Sequence, residues 1–136
     1  MNETKSTIEF RLNNRSGIPA YMQIVQQVQQ ALRLGFLAPG DQLPTVREVV
    51  SKIAINPNTV FKAYRELEMD DLVESRPGLG TFITHTLADD TLTQHDSLRL
   101  KLMDWIQEAQ EAGLDEESIE ALFIFAMRTV AQEVRK

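Results

Sequence analysis

Two helix-start signatures stand close together near the middle of the chain, and they constrain its fold more than any other feature. Thr45, Val46, Arg47 and Glu48 have the form of a capping box, with Thr45 as the N-cap and Glu48 placed to reach back to it. Asn56 and Pro57 form a second start: a good N-cap, then a residue whose missing N–H costs nothing at the first helical position. Val46, Val49, Val50 and Ile53 give the first of these helices an inward face and predict an end near Ile53 or Ala54. In the second, Val60, Ala63, Tyr64 and Leu67 recur at i, i+3, i+4 and i+7 and pack inward, leaving Asn58, Thr59, Phe61, Lys62 and Arg65 on the other faces. The gap between the two is only a few residues, which is the helix-turn-helix arrangement.

The flanks extend this unit. Ile8, Phe10 and Leu12 alternate with polar residues and predict a short strand, followed by a turn from Asn13 to Gly17. Tyr21, Ile24, Val25, Val28, Ala31 and Leu32 lie on one face of a helix that starts at Pro19 and ends at Gly35. Residues 35–44 read as a loop punctuated by glycine and proline. After the third helix, Leu72 to Ser75 and Thr81 to Ile83 read as two strands joined through Arg76, Pro77, Gly78, Leu79 and Gly80, a hairpin in the position of a wing. The expected organisation is a winged helix-turn-helix domain over 8–84, a polar linker over 85–96 and a two-helix tail over 97–136. The fold class is mainly α with a small β-hairpin.

In the tail, Leu98, Leu102, Trp105, Ile106 and Ala109 form one stripe, closed by Gly113. Asp115 can cap a last helix with the stripe Ile119, Leu122, Phe123, Ala126, Met127, Val130 and Val134. Ile124 and Phe125 fall off that stripe, so residues 121–127 are unbroken apolar sequence, more than one face of a lone surface helix carries. Such helices must pack on the first domain or pair with a second chain. Pairing is the favoured reading, with Leu102, Trp105, Ile106, Leu122, Phe123, Phe125 and Met127 as the dimerisation residues.

Charge is divided along the chain. From Met1 to His85, nine Lys/Arg balance nine Asp/Glu; from Thr86 onward, five face eleven, so the whole net charge of −6 sits in the last third. One half is suited to meet nucleic acid and the other to avoid it. The sequence has no cysteine, which removes disulfides, thiolate nucleophiles and zinc-finger sites. His85 and His95 come without repeated carboxylate spacing, and Asp89, Asp90 and Asp96 read as solvated, so no metal or cofactor is expected. No nucleophile–base pair, P-loop or Rossmann glycine pattern is present, and the chain reads as a non-enzyme. No apolar run approaches the roughly 20 residues that span a bilayer. The N-terminal residues lack a signal peptide's apolar core, which makes a cytoplasmic location the expectation.

Residues 35–83 resemble the DNA-binding domain of the GntR family of regulators. The resemblance rests on Gly35, Leu37, Pro39, Gly40, Leu43, Pro44, Thr45 and Arg47; on Asn56, Pro57, Asn58, Thr59 and Val60; on Ala63, Tyr64, Leu67 and Glu68; and on Gly78, Gly80, Thr81 and Phe82. The lead-in from Ile18 to Ile24 is similar to the YtrA-like branch, whose short C-terminal extension of two helices the tail matches in size. Two positions depart from the family pattern: Asp71 stands where a glycine is usual, and Phe61 where a small or polar residue is common. At Asp71 the helix end must adapt, or the residue must take the left-handed conformation, which an aspartate tolerates better than most residues.

The resemblance implies that the third helix enters the major groove, where asparagine pairs with adenine and lysine with guanine. Asn56, Asn58, Thr59 and Lys62 are the candidates, although Asn56 also reads as a plain cap and Thr59 as a partner of local backbone. Arg47 opposes the dipole of its helix, which disfavours a structural role. Its match to the family's arginine implies contact with phosphate or base, against a salt bridge to Glu48 or Asp41. Arg76, Gly78 and Gly80 form the wing tip, where glycines serve both the hairpin turn and close approach to DNA. Lys52 and Arg65 read equally as phosphate contacts or solvated charges, and Tyr64 as core. The function implied is a sequence-specific regulator, a repressor of its own operon and of transport genes, bound as a homodimer to an inverted repeat in double-stranded DNA. A small-molecule effector would need a site between subunits or domains. The alternative is a winged-helix module that binds protein.

Overall fold

The computed structural model describes residues 8–88 and 95–135 and divides the chain into two compact units, Met1–Gln94 and His95–Lys136. The first holds α1 (Ala20–Arg33), α2 (Val46–Ile53), α3 (Pro57–Met69), β1 (Val73–Arg76) and β2 (Gly80–Ile83). The second holds α4 (Asp96–Glu111) and α5 (Glu116–Arg135). The first unit is a winged helix-turn-helix, and the second a two-helix extension. Half of the expected linker, residues 89–94, lies outside the described residues. No helix among the described residues is long and apolar enough to cross a membrane.

The core of the first unit forms where the apolar stripes of three helices meet. Ile24, Val28 and Leu32 of α1, Val49 of α2 and Val60, Ala63 and Leu67 of α3 are all buried, together with Leu37 and Leu43 of the connecting segment and Ile83 of β2. Each fully buried aliphatic side chain contributes about 1.5–3 kcal/mol. Both predicted caps are formed. Thr45 Oγ1 accepts from the Glu48 N–H at 3.1 Å while Glu48 Oε1 accepts from the Thr45 N–H at 2.8 Å. Asn56 Oδ1 accepts from the Asn58 N–H at 2.8 Å.

Residues 8–12 are not a strand, although their burial alternates, with Phe10 buried and Glu9 and Arg11 exposed. Two glutamines of α1 take the place of a partner strand. Gln27 accepts from the Arg11 N–H at 3.0 Å and donates to the Arg11 carbonyl at 2.6 Å. Gln23 does the same for Asn13, at 2.8 and 3.0 Å. Four residues of helix rise about 6 Å, close to the span of two extended residues, so glutamines at i and i+4 match backbone groups at i and i+2.

Three helices end alike. After α1, Gly35 takes φ 80°, its N–H donates to Leu32, and the Phe36 N–H reaches back to Ala31. After α4, Gly113 and Leu114 repeat the pattern onto Gln110 and Ala109. After α3, the left-handed residue is Asp71, with φ 63°; its N–H donates to Glu68 and that of the buried Leu72 to Leu67. This is the Schellman closure, with an L side chain where glycine fits best. The turn between α2 and α3 holds a second left-handed residue, Ala54, at φ 49°.

Asp71→Gly is expected to raise stability by about 1 kcal/mol, because it relieves the left-handed penalty and removes a negative charge from a helix C-terminus. Urea unfolding checks this; an unchanged or lowered midpoint counts against the strain.

Candidate nucleic-acid interface

The buried stripe of α3 sets what the helix shows to solvent. With Val60, Ala63, Tyr64 and Leu67 turned inward, Asn58, Phe61, Lys62 and Arg65 are exposed and Thr59 is partly exposed. The exposed four fall at i, i+3, i+4 and i+7, one outward stripe. Tyr64 fixes the rotation further. Its hydroxyl donates to the Pro44 carbonyl at 2.6 Å and ties α3 to the segment leading into α2. Burial, and then the nearby Glu48 carboxylate, push the phenol well above its ordinary value of 10.0.

The cations of α2, α3 and the wing are all exposed. Lys62 Nζ sits 4.1 Å from the centroid of the Tyr21 ring on α1. Lys52, in the last turn of α2, lies 3.9 Å from Glu9, and both side chains are largely exposed. Arg76 pairs through Nε with Glu74 at 2.6 Å, and its guanidinium lies 4.6 Å from the Phe82 ring centroid. Arg47 and Arg65 are exposed and form no ion pair among the described residues. The acids beside Arg47 are engaged elsewhere: Glu48 closes the capping box and Asp41 accepts from the Ala38 N–H at 2.9 Å.

The wing is a two-stranded antiparallel hairpin, with Val73 opposite Ile83 and Arg76 opposite Gly80. Its turn holds Gly78 at φ 77°, and the Leu79 N–H donates to the Arg76 carbonyl. Residues 40–43, read from sequence as plain loop, run beside β2 and anchor it. The Gly40 N–H donates to Ile83, the Ile83 N–H to Asp41 and the Leu43 N–H to Thr81, with an isolated bridge between Gln42 and Phe82. Gln42 Nε2 also donates to the Leu79 carbonyl at 3.1 Å, passing so close to Gly80 that a Cβ there would lie 2.5 Å from it. The second glycine of the wing is therefore a place where backbone must clear a side chain, and Gln42 is a positioning residue that the sequence did not flag. Three contacts among the described residues tie the wing to the end of α3: Glu68 accepts from the Ser75 N–H, the Thr84 N–H donates to Leu72, and the Thr84 hydroxyl donates to the Asp71 carbonyl.

In the second unit, Asp115 Oδ1 accepts from the Ser118 N–H at 2.8 Å at the start of α5. The Ser118 hydroxyl and N–H hold that carboxyl below the usual carboxylate range. Leu102, Trp105, Ile106, Ile119 and Phe123 line an open groove of about 350 Å³ between α4 and α5, with Glu116 and Glu120 on its lining. Leu122, Phe125 and Met127 do not line this groove, and all three are exposed.

The sequence pattern of the bacterial regulatory proteins of the gntR family matches residues 20–83. The chain is 40% identical over 112 residues to the HTH-type transcriptional repressor YtrA of Bacillus subtilis, spanning 81% of this chain and 85% of that one. The chain belongs to the GntR family. Among solved structures, a protein described as a transcriptional antiterminator from Listeria monocytogenes EGD-e is 34% identical, with a TM-score of 0.57 over 90% of this chain and 92% of that one. YtrA from Sulfolobus acidocaldarius, a GntR-family transcription factor, is 26% identical, with a TM-score of 0.53 over 72% of this chain and 97% of its own. Similarity of this extent takes in part of the helical extension as well as the winged domain, in keeping with the YtrA-like branch of the GntR family.

Tyr64→Phe leaves the buried Pro44 carbonyl without its partner and is expected to cost about 1–2 kcal/mol. Above pH 10 the unfolded chain ionises this phenol while the folded chain does not, so native stability falls as pH rises. The variant should lose that part of the alkaline slope. Denaturation followed from pH 8 to 11 checks both; equal stability and an equal slope would show that the bond contributes nothing.

Proposed function

We propose that this GntR protein is a DNA-binding transcription regulator, a repressor that docks α3 in the major groove of an inverted-repeat operator and acts as a dimer. One observation carries the reading. The aliphatic side of α3 is fully used by the core, and amide, hydroxyl, amine and guanidinium groups are left facing solvent beside a glycine-tipped wing. Asn58, Thr59 and Lys62 read base edges, Asn56 caps the helix and offers its amide to phosphate, and Arg47 contacts phosphate or base. Arg76, Gly78 and Gly80 follow the adjacent backbone, with Lys52 and Arg65 as peripheral phosphate contacts. Catalysis has no part in this reading, and the cytoplasm is where it places the protein.

A duplex selected from random sequence by the full chain tests it. Arg47→Ala and Thr59→Ala should each weaken binding by about tenfold or more, since a good base contact carries roughly 1–3 kcal/mol. Affinity should also fall steeply with salt as counterions are released. Variants that bind like wild type would remove the residue assignment. Salt-insensitive attachment to a protein with no selected duplex would favour the protein-binding module instead.

The tail supplies the second copy. An open groove lined by Trp105, Ile106 and Phe123, together with exposed Leu122, Phe125 and Met127, fits an apolar seam between chains. The same groove lies at the small end of the roughly 300–1,000 Å³ typical of ligand sites, so an effector would share it with the interface. Phe123→Glu places an unpaired charge in that seam and should raise the dimer dissociation constant more than tenfold in sedimentation, with helicity retained. A variant that stays dimeric at the wild-type concentration would move the interface elsewhere.

A further inference from the structure

Phe61 is the member of the outward α3 stripe that the core does not account for. It is 50% exposed and belongs neither to the core nor to the apolar residues packed against it. The inward face is already filled by Val60, Ala63, Tyr64 and Leu67. Its stripe neighbours Asn58, Lys62 and Arg65 all carry hydrogen-bonding groups, so one large apolar ring stands among polar groups near the start of the helix.

The major groove narrows what such a ring can recognise. Base edges there display hydrogen-bond donors and acceptors and a single kind of apolar group, the C5-methyl of thymine. A phenyl ring has no donor or acceptor to offer the others, and covering polar edges without pairing them is unfavourable. Covering a methyl removes apolar surface from water on both partners. Resting on the reading of α3 as the groove element, we propose that Phe61 is a specificity residue that reads the methyl group of one thymine in each half-site. Asn58, Thr59 and Lys62 read other base edges through hydrogen bonds, and Phe61 separates thymine from cytosine, which lacks the methyl, without one. The sequence itself held the signal: an aromatic residue at i+3 from Asn58 and outside the i, i+3, i+4, i+7 core stripe.

The experiment uses the full chain and the site it selects from random duplexes. Each thymine of that site is replaced in turn by deoxyuridine, which keeps the base pair and removes only the methyl. One thymine per half-site should show a loss of about fourfold in affinity, the value of one buried methyl group, and replacing both should multiply the losses. Phe61→Ala should bind the parent site more weakly and no longer distinguish thymine from deoxyuridine at that position. Its thermal midpoint should match wild type, because the ring lies outside the core. Wild-type binding indifferent to every replacement, or a sensitivity that persists undiminished in Phe61→Ala, overturns the assignment while leaving the operator reading intact. A chain that selects no duplex at all overturns the groove reading and this inference with it.

Discussion

The burial of one stripe of α3 is the constraint on which the rest of the first unit depends. Helical residues are 100° apart, so the slip of one residue that would carry Phe61 into the core would carry Val60, Ala63 and Leu67 out of it. Val60, Ala63 and Leu67 are essentially inaccessible, and Tyr64 is held by a hydrogen bond to Pro44. An interior packed at crystal-like density does not absorb a rotation of that size. Whatever α3 presents outward is therefore decided by four inward residues. The outward face is free to vary in chemistry without disturbing the fold.

Side-chain amides do much of the work that strands do in larger sheets. Gln23 and Gln27 satisfy both backbone groups of Asn13 and Arg11, and Gln42 reaches across to the wing turn. Without them, a short edge segment and a two-stranded hairpin would carry many unpaired backbone groups, and isolated hairpins are marginal in water. This is also why these features were hard to see in the sequence. Alternation at Ile8, Phe10 and Leu12 correctly marks which side chains point inward, but it cannot tell a ladder partner from a pair of glutamines. Residues 40–43 are too short, between Gly40 and Pro44, to show any period.

What was legible had a local cause. The capping box at Thr45, the Asn56 and Pro57 start and the core stripe of α3 are each written within eight residues of sequence, and each formed as read. The left-handed conformation of Asp71 was one of two outcomes legible from the glycine usual there in the family, the other being an altered helix end. Ala54 was not, because nothing about an alanine announces positive φ; the two-helix turn imposes it. In the tail, the apolar excess of residues 121–127 shows as exposed Leu122, Phe123, Ile124, Phe125 and Met127. Sequence pattern thus located an exposed apolar surface, because an excess of apolar residues over one helical stripe is itself a local feature.

The cations of α2, α3 and the wing illustrate how long basic side chains can be ordered at little cost. Lys62 rests on Tyr21, Lys52 near Glu9, and Arg76 against Glu74 and Phe82. Exposed ion pairs and cation–π contacts of this kind contribute about 1 kcal/mol or less. That is enough to restrict long side chains that would otherwise lose rotamer freedom on binding, and too little to compete with a phosphate at close range. Arg47, with Glu48 and Asp41 committed to backbone N–H groups, keeps its full guanidinium available. Of the two acids that look like its natural partners in sequence, Glu48 shapes the helix start beneath it and Asp41 the loop before it. Structure formation and charge presentation are thereby solved by one set of residues.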